Sequence, residues 1–243
     1  MFGPFLCTFL VNYVDYVQLF RLASIIPLLG LVPFLLVRRE SSSDRFEKRN
    51  SSLRTFLKVA VSSRNMLVLS YLRLAFSFTN AFFVTFLAVH AENNLLLTPF
   101  LIALLFGMKG IANTLSRIPS GKFADKIGCK WPIVLAFTML SLAYFMISET
   151  GNIYLLVIAM AIYGTAHGMR AVTEWSLLGD CAPSGMGSIA TAYLSTIFNV
   201  GAAVGGVAAG VLSLIVNIPT IFKAGSLIIL TGTLTVALIK TGN

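Results

Sequence analysis

Long, uninterrupted apolar runs decide most of what this chain can become. Crossing about 30 Å of hydrocarbon takes about 20 mainly apolar residues in a helix, and the sequence offers such runs at 17–37, 66–89, 98–117, 131–148, 152–175, 187–213 and 218–239. Lipid leaves no water to satisfy a backbone, so the spanning element must close its own hydrogen bonds. The runs are continuously apolar instead of alternating, which rules out the period-two pattern of a transmembrane barrel. With 57% hydrophobic residues, 11% charged and a mean hydropathy of +0.86, a soluble globule of this length is excluded as well. The expected fold class is all-α, a polytopic helical membrane protein.

Charge then orders the runs. A net charge of +9 and a pI near 9.8 fit a nucleic-acid binder in the abstract, but the basic residues sit in loops that flank spans, as positive-inside topology requires. No nucleic-acid partner is expected; the lipid bilayer is. Residues 38–65 form a polar, serine-rich linker with Arg38, Arg39, Arg45, Lys48, Arg49, Arg54, Lys58 and Arg64. Within it Leu53, Phe56, Leu57 and Val61 suit a short interfacial helix. The linker and the 117–130 loop are therefore expected in the cytoplasm of a cell-membrane protein. Asp15, Glu92 and Glu149 mark the opposite side. Cys7, Cys129 and Cys181 have no metal-ligand or disulfide spacing, and neither a metal nor a cofactor is expected. The N-terminus has no basic leader followed by a small-residue cleavage site, so no signal peptide is expected.

The basic island at 121–130, Gly-Lys-Phe-Ala-Asp-Lys-Ile-Gly-Cys-Lys, adds identity to topology. Gly121 and Gly128 are read as allowing a tight loop between two helices, with Asp125 flanked by Lys122, Lys126 and Lys130. The spacing G-x-x-x-D-K/R-x-G-x-K/R resembles the loop signature of the major facilitator superfamily. Gly121, Asp125, Lys126, Gly128 and Lys130 match, while Cys129 stands where a second basic residue is usual.

An internal repeat agrees with that resemblance. Shifted by 202 residues, segment 3–38 lies on 205–240 without a gap, and nine of 36 pairs are identical, among them Gly3/Gly205, Phe20/Phe222, Ser24/Ser226 and Gly30/Gly232. Parallel six-helix repeats build the resembled fold. The resemblance therefore implies a tail of the first repeat at 1–37 (the end of helix five, then helix six), a cytoplasmic linker at 38–65, and a second six-helix bundle at 66–243. It also implies a missing first half, supplied separately, by a homodimer partner or by a longer parent. In the family the signature loop latches one conformation against the opposite half; a simple tight turn is the other reading of the same residues.

Charges inside a span are costly unless they meet a partner or a cavity. Ser70, Arg73, Ser77 and Asn80 recur at helical spacing on one stripe, as do Tyr163, His167, Arg170 and Glu174 on another. Lys109 and Asn113 share a face leading to Arg117, and Ser195 and Asn199 mark the 187–213 run. These spans correspond to helices that line the cavity in the resembled fold, and the hydroxyl-only spans 131–148 and 218–239 correspond to those that face lipid. Arg73 has two readings, a cavity residue or a snorkelling one. Arg170 and Glu174, four apart, can pair. Cavity cations favour an anionic or polar solute. His167 and Glu174 are candidate proton-responsive groups, with a structural ion pair as the alternative for Glu174, and His90 reads as a solvated loop residue. Gly201/Gly205 and Gly206/Gly210 form consecutive GxxxG pairs suited to close helix contact.

The expected function is secondary active transport of a small solute by alternating access, with proton coupling possible in principle, carried by a second-half chain. The alternative is an inactive truncated membrane fragment or scaffold. No G-x-x-x-x-G-K-S/T loop supports an ATP-driven pump. No catalytic residue is assigned, since an intramembrane enzyme would need a nucleophile–base pair that the spans lack.

Overall fold

The computed structural model describes residues 15, 17, 18, 21, 23–25 and 53–237. Its helices are α1 (Leu53–Ser62), α2 (Arg64–Leu95), α3 (Pro99–Ile127), α4 (Lys130–Ser148), α5 (Ile153–Cys181), α6 (Gly187–Ser213) and α7 (Ile218–Val236). Most of the expected span at 17–37 and most of the linker fall outside the described residues. Within them, α2 to α7 are six helices long and apolar enough to cross a membrane.

Local sequence sets the helix ends. Ser63, Thr98, Asn152 and Asn217 are N-caps whose side chains accept from Met66 N, Leu101 N, Leu155 N and Thr220 N, satisfying donors that the first turn leaves open. Prolines at the starts of α3 and α7 fit where no intrahelical donor is needed. Leu96, at φ 53°, closes α2, and Gly128, at φ 80°, closes α3. Gly128 is the position there that a side chain would strain.

Three tight pairs make the bundle: α2 with α6, α3 with α5, and α4 with α7. The second α2 contact is α7, and α5 also packs on α4, so α4 and α7 form a layer behind the other two pairs. Glycine sets the closeness of each pair. A Cβ on Gly164 or Gly168 of α5 would lie 2.4 Å from Lys109 O or 2.3 Å from Asn113 O of α3. One on Gly205 of α6 would lie 2.3 Å from Phe78 O of α2. Behind them, Ser141 Oγ and Ser226 Oγ each donate to the other residue's carbonyl, at 3.0 and 2.8 Å. Tyr144 Oη donates to Thr79 O at 2.7 Å, tying α4 to α2. The core between the layers is aromatic, with Phe82, Phe83, Phe137, Tyr144, Tyr163 and Phe222 fully buried.

Several expectations change. The island at 121–130 is not an open loop: α3 stays helical through Ile127, Gly121 lies inside the helix, and the turn is Gly128–Cys129. The physical reason is length. At 1.5 Å per residue α3 runs about 43 Å, longer than the hydrocarbon, so its last two turns project beyond it with their charges and need no loop to reach water. The same holds for α5, which continues to Cys181 and shortens the expected 176–186 loop. His90 is not a solvated loop residue, for it lies buried inside α2 at 1% exposure. α1 does form where the interfacial helix was expected, with Phe56 and Ala60 buried and Leu57, Lys58 and Val61 exposed.

Candidate functional site

The polar stripes of α2 and α5 face each other across a seam between the α2/α6 pair and the α3/α5 pair. The helices run in opposite directions, so rising numbers on α2 meet falling numbers on α5. Arg73 meets Glu174, Phe76 meets His167 and Arg170, and Asn80 and Phe83 meet Tyr163. Periodicity put each stripe on one face; the crossing brings the two faces together.

At one end of the seam sits an ion triad. Arg73 Nη1 donates to Glu174 Oε2 at 2.9 Å, and Arg170 Nη1 donates to the same oxygen. Residue exposures of 8%, 2% and 0% for Arg73, Arg170 and Glu174 settle the choice at Arg73: it is a paired interior residue, not a snorkelling one. Each guanidinium also covers aromatic rings, Arg170 over Phe76 at 3.6 Å and Arg73 over Phe198 and Trp175 at 5.0 and 5.1 Å. Two cations thus share one carboxylate oxygen, while Glu174 Oε1 and both Nε atoms are buried without hydrogen-bond partners. Removing Glu174 would leave two buried guanidiniums without a counter-charge and is costly.

In the middle of the seam Tyr163 stacks on Phe83, centroids 4.0 Å apart and planes 10° apart, and its hydroxyl donates to Asn80 Oδ1 at 2.8 Å. Lys109 Nζ lies 4.4 Å from the Phe83 ring centre and 4.9 Å from that of Tyr163, within cation–π range. Lys109 is half-buried and has no carboxylate within ion-pair distance among the described residues. It stands about 15 Å from the Pro99 end of α3 and about 27 Å from the Ile127 end, near mid-membrane. One turn on, Asn113 is buried and accepts from Arg117 Nε at 3.2 Å, with Arg117 exposed. His167 is half-buried against Phe76 and Tyr163, ring centres 5.0 and 6.0 Å away, and its Nδ1 is buried with no hydrogen-bond partner.

Two residues of the expected set stand elsewhere. Ser77 is buried at the α2–α6 contact, donating to Leu74 O at 3.0 Å and lying 2.0 Å from where a Gly201 Cβ would be. Asn199 is exposed on α6. Sequence reasoning missed the aromatic partners Phe76, Phe83, Phe106, Trp175 and Phe198, because in a chain this apolar nothing separates an aromatic at a site from one in the core. It also missed Gly164 and Gly168, a GxxxG pair legible in the sequence.

The signature residues cluster at one end of the bundle. Asp125 and Lys126 are exposed on the projecting end of α3, and Asp125 forms no ion pair among the described residues. Lys130 Nζ donates to Ala237 O at 3.4 Å, joining the start of α4 to the end of α7.

Six apolar helices of span length, paired around a seam of intramembrane charge, define a polytopic membrane protein with a polar interior. Two matches to one family profile, over residues 1–189 and 74–241, show that the chain belongs to the Major Facilitator Superfamily, a family of membrane transporters. The matches overlap at 74–189, so these residues align to the profile in two ways, as expected of a fold made of repeats. No curated protein matches the chain.

Proposed function

We propose that the protein is a secondary active transporter that moves a small solute by alternating access, its seam forming one wall of the solute path. Residues 1–37 are then the tail of the first six-helix repeat, 38–65 the cytoplasmic linker, and 66–243 the second bundle. The observation that carries this reading is Lys109, a mid-membrane cation over the rings of Phe83 and Tyr163 with no carboxylate among the described residues to neutralise it. A lipid-embedded chain keeps such a residue at a cost, and intramembrane ionisable groups mark solute or proton paths by default. The wall facing Lys109 is the other half of the transporter, from a separate chain, a second copy or a longer parent.

Asp125, exposed on the cytoplasmic end of α3, is placed to latch against that half. His167 and Glu174 are the groups through which a proton would couple. Glu174 already balances two arginines, so its protonation would loosen the contact between α2 and α5.

Solute counterflow into vesicles containing the chain, alone and with a family first half co-reconstituted, tests this reading. Saturable exchange that collapses in Lys109→Gln supports it. Absence of exchange for every solute in both preparations refutes it in favour of an inert membrane fragment.

A further inference from the structure

Charge in the seam is lopsided. Arg73, Lys109 and Arg170 stand against Glu174 alone, three cations to one carboxylate. The other acidic residues of α2 to α7 and their caps, Glu92, Asp125, Glu149 and Asp180, all lie within about a turn of a helix end. The two arginines are spoken for and sealed by Phe76, Phe198 and Trp175. Lys109 is different: it is half-buried, and among the described residues it leans on ring faces instead of an anion. Cation–π contact returns only part of what a desolvated ammonium loses.

We infer, on the reading that this seam carries a solute, that the solute is a small organic monoanion whose carboxylate docks on the Lys109 ammonium. An ammonium is a compact point charge that needs no bidentate geometry, so a single carboxylate suffices. A cation would be repelled by the surplus positive charge, and a neutral solute would leave the ammonium uncompensated. Among the described residues a dianion finds no second free cation at mid-membrane depth, since Arg73 and Arg170 are paired with Glu174. The α3 stripe extends the argument: Arg117, about 12 Å further along, is exposed and held by Asn113. It gives an anion an outer foothold before it reaches Lys109.

The test uses the chain in lipid nanodiscs with benzoate, lactate and acetate as monoanions, benzamide as a neutral isostere, and benzylamine as a cation. Binding is read as a concentration-dependent rise in unfolding temperature. At least one monoanion is expected to stabilise the protein while benzamide and benzylamine do not. Lys109→Gln should weaken that anion at least about tenfold, as loss of a hydrogen bond to a charged group implies, and Lys109→Arg should retain it within a few-fold. Equal stabilisation by the neutral or cationic probe overturns the inference. So does silence from all three monoanions, or a loss in Arg117→Gln that Lys109→Gln does not share. Counterflow separates the two claims. Anion binding without exchange removes the transporter and leaves the anion site; exchange of a neutral or cationic solute indifferent to Lys109→Gln does the reverse.

Discussion

Gly205 and Gly206 are neighbours on one helix, and changing each to alanine should have opposite consequences. A Cβ at Gly205 would stand 2.3 Å from Phe78 O, 2.8 Å from Phe78 Cα and 2.9 Å from Phe78 C. All three are backbone atoms, so no rotamer change relieves them. Relief requires α6 to withdraw from α2 by about 1 Å, which also loosens Gly201 against Leu74 and Ser77. Overpacking of this kind costs about 1–3 kcal/mol, roughly a 5- to 150-fold shift in the unfolding equilibrium. At Gly206 the added Cβ meets nothing within 4 Å, and alanine at an exposed helix-interior position should stabilise by about 0.4–1 kcal/mol. Denaturant titration of the purified protein in one detergent, followed by helical circular dichroism, reads both. The reasoning fails if Gly205→Ala unfolds with the wild type, or if Gly206→Ala falls as far as Gly205→Ala.

Glu174→Gln should be the most damaging single change in the triad, by about 3–5 kcal/mol, because two buried guanidiniums lose their shared counter-charge. Arg73→Gln should be milder, since Arg170 keeps the carboxylate paired; the same denaturant titration ranks them, and the reverse order defeats the charge argument. In a background with Cys7, Cys129 and Cys181 replaced by serine, Lys109→Cys should react with a water-soluble thiol reagent and Phe82→Cys, fully buried, should not; equal protection of both would take Lys109 out of an aqueous path. In that background Lys126→Cys and Glu92→Cys should be labelled from opposite sides of intact cells, Lys126→Cys only after permeabilisation, and labelling from one side alone would invert or dissolve the topology.

The spans were legible because hydropathy over about 20 residues is a strong signal, and the structure has six of them at nearly the expected places. Their ends were less so. The rule that charge means loop broke at Gly121–Ile127, where Lys122, Asp125 and Lys126 are carried by a helix that has left the hydrocarbon. The stripes Arg73/Asn80 and Tyr163/Arg170/Glu174 were also legible, since a period of 3.6 fixes which residues share a face. Their partners were not: an i, i+4 rule proposes Arg170–Glu174 within one helix, but Arg73–Glu174, 101 positions apart, follows only from the crossing. The glycines show the same limit. Gly201/Gly205 and Gly206/Gly210 are equivalent as patterns, yet the first pair touches α2 and the second touches nothing.

Where the seam is fastened bears on which parts can move. Arg73–Glu174, Tyr163–Asn80 and the Phe83–Tyr163 stack all join α2 to α5, at two heights. Tyr144–Thr79 and the serine pair of α4 and α7 lock the layer behind them. Contacts between backbones at Gly164, Gly168 and Gly205 leave no play within the α3/α5 and α2/α6 pairs, since close-packed interfaces rearrange between discrete states instead of stretching. Large internal shear would have to break several of these at once. On the transport reading proposed above, access to Lys109 from alternate sides would come from rocking the six-helix bundle as one body against a facing wall. The exception is Glu174. Protonating it would leave two guanidiniums repelling each other across α2 and α5, which would release that fastening and leave the Tyr163 contacts in place.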